Sequence, residues 1–476
     1  MLGCVLGASG PLRADDRPNV LWIIAEDMSP HFGCYGESTI ETPNVDRLAA
    51  EGVRFANAFV TAPVCSASRS ALITGMYQTT IGAHHHRSGR GSERIELPKG
   101  VELIPERFRQ AGYFTSNGTI DGRTGKTDYN FDFDPNLYDG ADWSGRKDGQ
   151  PFFAQIQLSG GKLREGANWA ERVEPELGSL TEPESVSLPP YYPRDPVLLE
   201  DWARYLDAVR YTDLQVGQIV DRLEEEGLLA STYVFFITDH GISHARGKQF
   251  LYEEGIKIPF IVRGPGLPQG TVRDDLIVHI DMSVTSIDLA GIEVPSGMQG
   301  RSLFAEDHEP RRLIISARDR CDETVDGIRC LRTDRYKWIL NRYPERPYLQ
   351  PNAYKDNKAI LQTLRRLHQE GALNEAQSLH FATKRPQYEL YDLCSDPWEL
   401  SNLAITPEHR DHLDLRNELH EWMMMTGDLG VEPEPSAMYD SDMAQYLENV
   451  RRNNPQRAAE IESNISLMKR WERERN

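Results

Sequence analysis

The chain has 476 residues, 39% of them hydrophobic, and carries a formal net charge of −20. This length favours one large domain with an appended subdomain, or two domains, with ample core. The acidic balance excludes binders of nucleic acid or of anionic membranes, which need basic surfaces, so an anionic substrate would have to meet a metal or a local cluster of cations.

Residues 1–14, "MLGCVLGASGPLRA", form a short apolar segment rich in small residues. We interpret it as the remnant of a secretory signal, which predicts a periplasmic or secreted protein; the alternative is a disordered start. No stretch of the sequence is apolar over the length that crosses a bilayer, so we expect no membrane span. The six cysteines are too few for a disulfide framework, and Cys321 and Cys330 form either one local disulfide or two free thiols.

The first strong element is "NVLWIIA" over residues 19–25, an apolar run with β-branched residues. It predicts a buried parallel strand that ends in Glu26 and Asp27. The segment "TPNVDRLAAEG" then predicts a helix with Thr42 as N-cap and Gly52 as C-cap. Further strands are predicted over "VRFANAFV", "GYFTSNGT" and "PFFAQIQLS".

Residues 160–197 are rich in proline and are expected to be irregular. A long amphipathic helix follows over 198–226 and is closed by Gly227. A second strong strand, "STYVFFITDHG", carries Asp239 and His240 at its end, and "IPFIVRGPG" predicts a further strand and turn.

This alternation predicts an α/β fold, with a large, mostly parallel mixed sheet sandwiched by helices and a smaller C-terminal α+β subdomain that contains an antiparallel sheet. We assign residues 15–305 to the main, catalytic domain and residues 306–404 to the subdomain. The strands of the subdomain are predicted from "RRLIISARD", "GIRCLRTDRYKWIL" and "YELYDLCSDP". Residues 405–476 are charged and helical in pattern, and are predicted to form a helical extension on the surface.

Side chains that can bind a metal follow the two strong strands, Glu26 and Asp27 after the first, and Asp239 and His240 after the second. Because active sites of parallel sheets lie at the carboxyl ends of the strands, we predict that these side chains converge. Oxygen-rich ligation suits Ca²⁺ or Mg²⁺, and a histidine among the ligands also permits Mn²⁺. The alternative is that both pairs are polar strand ends that make turns.

A cysteine stands at the start of a predicted helix in "APVCSASRSALITG". Cys65 precedes the helix-forming segment 66–74, which Gly75 ends. The helix dipole and the free N–H groups of the first turn make a thiol at this place more acidic, and Arg69, four residues on, lies on the same face. These features indicate a reactive thiol that handles an anion; the alternative is a small buried core cysteine.

The segment from Cys65 to Arg69 resembles the C-x-[PA]-x-R signature of type I sulfatases, which belong to the alkaline phosphatase superfamily, and "LITG" follows it as is usual there. The segments "NVLWIIAEDMS", "TPNVDRLAAEGVRFANAF", "GKTDYNFD", "YVFFITDHG" and "RGKQFLYEEGIKIPFIVRGPG" occur in sulfatase order. The resemblance runs from about residue 19 to 404. "KTDYNF" and the paired histidine after the cysteine helix are most similar to the heparan N-sulfatase-like branch, and the resemblance implies an alkaline phosphatase-like sheet.

The resemblance implies that a formylglycine-generating enzyme converts Cys65 to Cα-formylglycine, whose hydrate is a gem-diol. One hydroxyl, ionised beside a divalent metal, attacks sulfur, and the sugar alcohol or amine leaves. Elimination through the second hydroxyl then releases sulfate. By matching positions, Ca²⁺, or Mg²⁺ or Mn²⁺ in its place, would be held by the modified Cys65 and four further residues: Glu26, Asp27, Asp239 and His240.

The same matching assigns the cations that would bind an anionic substrate. Arg69 would steady the gem-diol, and Lys126 and Lys248 would clamp the sulfate oxygens. Two positions depart from the family, because Asp128 and Ser159 (or Gly160) stand where many sulfatases carry histidines that transfer protons. Asp128 is still counted among the predicted catalytic residues. Glu26 also departs, since an aspartate is usual there.

Other side chains are therefore candidates for the leaving-group acid and for substrate binding: His84, His85, His86, Arg87 and His244. Arg87 would bind an acidic sugar; the alternative is an ordinary surface arginine. The triple histidine is alternatively a surface tract or a second metal site.

We therefore expect a sulfatase that hydrolyses sulfate esters, or N-sulfate, of a sulfated oligo- or polysaccharide. One alternative is a formylglycine-dependent phosphonate or phosphodiester hydrolase. Another is a non-catalytic protein that binds sulfated glycans, with Cys65 never converted. A two-zinc phosphatase-like enzyme would need a second set of Asp and His ligands and a Ser or Thr at position 65. The oligomeric state and the glycan stay open.

Overall fold

The computed structural model of the protein describes residues 17–166, 168–243, 245–405 and 413–475. The segment 1–14, interpreted above as a signal remnant, and the candidate His244 lie outside the described residues. Among the helices of the described residues, none combines the length and the apolar character that a membrane crossing requires.

Among the described residues, eight strands form the large sheet: β1 Asn19–Ala25, β2 Val53–Phe59, β3 Phe114–Gly118, β4 Phe152–Leu158, β5 Thr232–Thr238, β6 Lys257–Ile258, β7 Phe260–Arg263 and β8 Thr271–Val278. Their order is β3-β4-β1-β5-β7-β2-β6, and β8 pairs with β2. Strands β3, β4, β1 and β5 are parallel neighbours, whereas β6 and β7 run antiparallel to β2. The predicted mixed, mostly parallel sheet is confirmed.

The helices of the described residues are α1 Pro43–Ala50, α2 Cys65–Thr74, α3 Ile104–Gln110, α4 Trp169–Leu177, α5 Pro196–Glu225, α6 Glu253–Ile256, α7 Ile280–Leu289, α8 Ala353–Asp356, α9 Ala359–Gln369, α10 Glu375–Ser378, α11 Leu413–Thr426, α12 Ser436–Asn453 and α13 Pro455–Arg475. The expectation of an irregular stretch over 160–197 is wrong, because α4 lies within it. Trp169 and Val173 bury one face of α4 despite the proline at position 175.

The predicted C-cap of α1 is also wrong. The helix is capped by Glu51, and Gly52 serves a different purpose. A Cβ at Gly52 would lie 2.3 Å from the carbonyl oxygen of Val262, so the missing side chain permits close packing against β7.

Strand β1 shows why the large sheet is sandwiched. Val20, Trp22 and Ile24 belong to the apolar core on one face of the sheet. Leu21 and Ile23 belong to the core on the other face. Because side chains alternate across a strand, an unbroken apolar run is what a strand covered on both faces requires.

Four strands in the described part of the chain form a second, antiparallel sheet in the order β12-β11-β10-β9: β9 Leu313–Arg318, β10 Ile328–Thr333, β11 Tyr336–Asn341 and β12 Tyr388–Asp392. The predicted antiparallel subdomain is thereby confirmed as part of the fold class, while its exact boundaries stay predictions. Cys321 and Cys330 are free thiols, which decides between the two alternatives left open by the sequence.

The last two helices pack on each other and on α8 through an apolar cluster that includes Ala353, Tyr439, Met443 and Ile461. A buried guanidinium fixes the junction. Arg320 donates to Glu434 at 2.6 and 2.9 Å and to Asp442 at 2.7 Å. The predicted helical extension is thus held by both packing and paired charge.

Glu323 is fully buried at the same junction. Its Oε1 accepts hydrogen bonds from the Ala353 N–H at 2.6 Å and from Asn464 Nδ2 at 2.9 Å. Its Oε2 has no hydrogen-bond partner among the described residues. Burial, with the charge of Asp322, raises the pKa of Glu323 to about 7 from an ordinary 4.5. Below about pH 7 the neutral acid is therefore the preferred form in the folded protein.

We expect Glu323→Gln to raise the free energy of unfolding at pH 8 by about 1–2 kcal/mol and to change it little at pH 5. Between the two pKa values the folded state binds more protons than the unfolded state, so wild-type stability falls as the pH rises through about 7. The amide is neutral throughout. Urea unfolding at both pH values measures the difference, with Glu421→Gln on the exposed side of α11 as control. An equal gain at both pH values would contradict this account.

Candidate active site

The polar residues that follow strands β1 and β5 lie next to one another. β1 and β5 are paired in register, with Ala25 opposite Thr238. The next residues of each strand are therefore neighbours, and the Asp27 N–H donates to Asp239 Oδ1 at 3.0 Å. The structure thus brings together the carboxyl ends of β1 and β5, as the sequence predicts.

Cys65 reaches the same edge as the first residue of α2. Its Sγ lies 3.2 Å from His240 Nε2 and 3.8 Å from Asp27 Oδ1. Four buried side chains offer ligand atoms that all lie within 4.8 Å of one another: Asp27, Cys65, Asp239 and His240. Carboxylate oxygens with one imidazole suit a divalent cation such as Ca²⁺, Mg²⁺ or Mn²⁺. These residues fit the metal that the sequence predicts.

Glu26 lies beside this group and not within it. Its two carboxylate oxygens each accept from an ammonium group, Lys126 Nζ at 2.5 Å and Lys162 Nζ at 2.5 Å. Arg69 Nη2 is a third partner, at 3.2 Å. The longer glutamate side chain therefore reaches the surrounding cations, and its predicted role as a metal ligand stays a prediction.

Lysine ammonium groups surround Cys65. Lys248 Nζ lies 3.2 Å from the sulfur and 3.1 and 3.2 Å from the Asp27 oxygens. Lys162 Nζ lies 3.5 Å from the sulfur. Lys248 is buried, whereas the side chains of Lys162 and Lys126 keep 27% and 31% of their surface exposed. An anion from solvent therefore meets Lys126 and Lys162 first and Lys248 last.

The cations set the ionisation of the site. Burial opposes a thiolate at Cys65, but the charges of Lys126 and Lys248 outweigh it and lower the pKa of the thiol. Burial likewise opposes the carboxylate of Asp27, yet Lys248 and Lys162 hold its pKa well below the ordinary value. The site therefore stabilises negative charge on side chains that are themselves buried.

Arg69 is buried, and its guanidinium group donates hydrogen bonds to three side chains. It donates to Asp239 Oδ2 at 3.2 Å, to Glu26 Oε1 at 3.2 Å and to Gln157 Oε1 at 2.7 Å. A guanidinium with three fixed acceptors orders the carboxylates on both sides of it. Arg69 therefore ties together β1, β4 and β5 beneath Cys65.

Asp128 makes two ion pairs, with Arg90 Nη2 at 2.5 Å and with Lys126 Nζ at 3.1 Å. Burial opposes its charge, but Lys126 and Arg90 hold its pKa well below the ordinary value. An ionised carboxylate accepts a proton and does not donate one. The position of Asp128 suits the orientation of Lys126 better than that of a leaving-group acid.

The triple histidine is not a surface tract, because His84, His85 and His86 are all buried. His84 and His85 face the second sheet, where His85 Nδ1 accepts from the Arg320 N–H at 3.2 Å. Burial and the charge of Arg329 lower the pKa of His84 to about 4. These two histidines are not brought to Cys65, and their predicted roles in substrate binding stay predictions.

His86 and the backbone of Arg87 contact Ser66, the residue next to Cys65. His86 Nδ1 lies 2.8 Å from Ser66 Oγ, which also accepts from the Arg87 N–H at 2.9 Å. His86 further forms a second cluster of metal-capable atoms with Cys321 and Asp322. The guanidinium of Arg87 already lies 3.7 Å from Asp322, which opposes a cation there.

Two residues of this site, Lys162 and Gln157, are not among those that the sequence motifs indicate. Two glycines follow β4 and immediately precede Lys162 in the sequence. A Cβ at Gly160 would lie 2.2 Å from the Glu26 carbonyl oxygen, and one at Gly161 would lie 2.3 Å from that of Asp27. The glycine pair thus lets the chain pass against the end of β1 and bring Lys162 to the sulfur.

Strained backbone marks the same region. Most of the non-glycine residues with positive φ lie at the site or next to it: Asp27 (53°), Arg87 (56°), Asp128 (59°), Gln249 (77°) and Asp322 (50°). Such conformations cost free energy and persist where the surrounding structure enforces them, which is common at functional sites.

The comparisons with known proteins agree with this geometry. The family model described as Sulfatase matches residues 18–292, and the model for the C-terminal part of N-sulphoglucosamine sulphohydrolase matches residues 240–346. An ulvan-active sulfatase of Formosa agariphila is 34% identical in an alignment 467 residues long, and the match covers 89% of this chain and 77% of that protein. Human N-sulphoglucosamine sulphohydrolase is 26% identical, with coverage of 88% and 92%.

Solved structures share the fold. A protein in complex with its substrate D-glucosamine-2-N,6-O-disulfate superposes with a TM-score of 0.60 at 18% identity, covering 87% of this chain and 98% of that one. A phosphonate monoester hydrolase from Silicibacter pomeroyi superposes with a TM-score of 0.58 at 18% identity, covering 87% and 97%. At these identities the likeness concerns the fold.

Proposed function

This chain belongs to the sulfatase family of sulfuric ester hydrolases, and we propose that it hydrolyses sulfate esters or N-sulfate groups of a sulfated carbohydrate. The observation that carries the proposal is the setting of Cys65, which faces lysine ammonium groups and metal-capable side chains at one sheet edge. The names of two relatives, an ulvan-active sulfatase and an N-sulphoglucosamine sulphohydrolase, support this substrate class. Because a polymeric substrate is met outside the cytoplasm, we propose a periplasmic or secreted location.

The proposed metal is Ca²⁺, with Mg²⁺ or Mn²⁺ as alternatives, and its proposed ligands are Asp27, Asp239, His240 and the modified residue 65. The mutual approach of these ligand atoms within 4.8 Å supports this assignment. When bound, the metal would supply positive charge that promotes ionisation of an oxygen nucleophile and that neutralises the buried aspartates. Glu26 would act from outside this set by orienting Lys126 and Lys162.

We propose that a formylglycine-generating enzyme converts Cys65 before the chain folds. The motif around Cys65 supports the conversion, and the burial of the side chain, 2% exposed, requires that it precede folding. Formylglycine would supply a hydrated aldehyde, which offers both an oxygen nucleophile and a second hydroxyl through which sulfate is released.

Charged side chains of this chain would bind the sulfate group and position the reacting residues. Lys126, Lys162 and Lys248 would bind the sulfate oxygens, where negative charge shifts during the reaction. Arg69 would hold the carboxylates in place and steady residue 65 from below. Asp128 would keep Lys126 aimed at the substrate, since its carboxylate lies 3.1 Å from that ammonium group.

The proposal is tested by incubating protein co-produced with a formylglycine-generating enzyme with O-sulfated sugars, N-sulfated sugars and an aryl phosphodiester. We expect release of sulfate, measured by ion chromatography, at a kcat/KM at least about 10²-fold above that for the phosphodiester. A preference for the phosphodiester would favour the phosphonate or phosphodiester hydrolase, whose fold is the same. Binding of sulfated sugars without any turnover would favour the non-catalytic binding protein.

Lys162→Ala is expected to lower kcat/KM by about 10²-fold, because one donor to the sulfate oxygens is lost. The loss should be similar for a sugar sulfate and for 4-nitrophenyl sulfate, since a sulfate clamp acts on both. Lys162→Arg should keep most of the activity, and Lys147→Ala, an exposed lysine on a distant loop, should keep all of it. A loss confined to the sugar sulfate would instead assign Lys162 to protonation of the leaving group.

A further inference from the structure

A cavity of about 380 Å³ lies between the loop after the triple histidine and the last two helices. The loop contributes His86, Arg87 and Arg90, while α12 and α13 contribute Tyr446 and Arg457 among others. Its volume is in the range of small-ligand sites. The proposed reaction does not use this cavity, and part of its wall belongs to the helical extension.

Two residues of the cavity wall contact residues of the candidate active site. Arg87, in its wall, donates its backbone N–H to Ser66 Oγ, the side chain next to Cys65. Arg90, also in its wall, holds Asp128 at 2.5 Å, and Asp128 lies 3.1 Å from Lys126 Nζ. The cavity therefore lies beside the place where the lysines would hold the sulfate.

The arginines that line the cavity differ in how they are paired with carboxylates. Arg320 forms ion pairs with Glu434 and Asp442, and Arg90 forms an ion pair with Asp128. The side chain of Arg87 is 49% exposed and lies 3.7 Å from Asp322, beyond hydrogen-bond distance. Arg457 makes no ion pair among the described residues, and its buried Nε has no hydrogen-bond partner there. In a chain of net charge −20, such a guanidinium indicates an anionic ligand.

Amide groups complete the wall. Gln445, Asn449 and Asn453 all line the cavity. They recur every four residues along α12 and so share one face of that helix. Carboxamides both donate and accept hydrogen bonds, which suits the hydroxyl groups of a sugar. Tyr446 lies on the same wall and offers a ring and a hydroxyl group.

We propose that this cavity is a second sugar subsite, in which Arg457 and Arg87 bind an anionic group on the sugar next to the one that carries the scissile sulfate. The inference rests on the proposed function and adds the helical extension to the substrate-binding machinery. The anionic group is a carboxylate, as in a uronic acid, or a second sulfate, because a guanidinium binds both through paired N–H donors.

Binding is measured first on Cys65→Ala protein, so that the result does not depend on catalysis. Isothermal titration uses an oligosaccharide of uronic acid, a sulfated oligosaccharide without carboxylates and a neutral oligosaccharide of the same length. We expect Arg457→Ala to weaken binding of at least one anionic oligosaccharide by about tenfold or more. Loss for the uronic acid identifies a carboxylate subsite, and loss for the sulfated oligosaccharide alone identifies a second-sulfate subsite.

Turnover gives the second readout. In the converted enzyme we expect Arg457→Ala to raise KM for an oligosaccharide that carries the neighbouring anionic group. The fold-increase in this KM should be at least about ten times the fold-increase in KM for 4-nitrophenyl sulfate. Arg457→Lys should recover part of the difference. The control Arg452→Ala removes an exposed arginine of α12 that pairs with Glu448 outside the cavity, and it should leave both KM values unchanged.

Two results would overturn the subsite. One is equal binding of all three oligosaccharides by wild-type and Arg457→Ala protein, both showing the same melting temperature. The other is an equal rise of KM for the oligosaccharide and for the aryl sulfate. Failure of the proposed function is distinguishable from either, because the titration detects anionic sugars even if the converted protein releases no sulfate.

Discussion

Cys65→Ala is expected to abolish sulfate release, lowering kcat for the best sulfated sugar by at least about 10⁴-fold. The neighbouring hydroxyl groups are committed elsewhere, since Ser66 Oγ is bonded to His86 and Ser68 Oγ donates to the Asp239 carbonyl oxygen at 2.5 Å. Neither can take over as a nucleophile without breaking these bonds. Single-turnover measurement of released sulfate gives the size of the loss.

Cys330→Ala is the matched control, because Cys330 is also buried but lies in β10, within the core of the second sheet. It should keep kcat and lose some stability. Cys65→Ser should be as inactive as Cys65→Ala wherever the host does not convert serine. Activity of Cys65→Ala above about one hundredth of wild type would remove residue 65 from the reaction.

The chemical form of residue 65 is measured directly on the tryptic peptide Phe55–Arg69, from protein made with its converting enzyme. We expect the mass of the aldehyde or of its hydrate. An unmodified thiol in fully active protein would show that the cysteine itself suffices, and the acidic thiol set by Lys126 and Lys248 would then be the reactive species.

Much of the site was predictable because it follows from strand order. The apolar runs of β1 and β5 identify two buried strands, and their polar ends meet because parallel neighbours finish at one edge. Cys65 was predictable from its place at the start of α2, with Gly75 in the left-handed conformation at the end. The local sequence is therefore sufficient to locate a functional residue that lies at the end of a helix or strand.

The rest depends on contacts between distant parts of the chain. Lys162 belongs to a stretch whose pattern predicts no regular structure, and its ammonium group reaches Glu26 across 136 residues of sequence. Gln157 was visible as a polar residue in an apolar strand, which predicts a buried partner but does not identify Arg69. His84 and His85 face the second sheet because that sheet packs against their loop, which no local pattern indicates.

Lys248→Ala is expected to lower kcat by about 10³-fold while it raises the affinity of the proposed metal site for Ca²⁺. The ammonium group lies 3.1 and 3.2 Å from the Asp27 oxygens and 3.2 Å from Cys65. Its charge therefore competes with a cation for Asp27, yet it stabilises the negative charge of a substrate. Kinetics and isothermal titration with CaCl₂ measure the two effects separately.

The opposite direction of the two effects separates catalysis from folding. Lys337→Met is the matched control, because Lys337 is buried and pairs with Glu253 at 2.9 Å and Glu399 at 2.6 Å, away from the site. It should lower stability and leave kcat of the folded fraction unchanged. If Lys248→Ala lowered kcat and Ca²⁺ affinity together, Lys248 would only hold the loop in place. A rise in affinity with a fall in kcat means that its charge acts on the substrate.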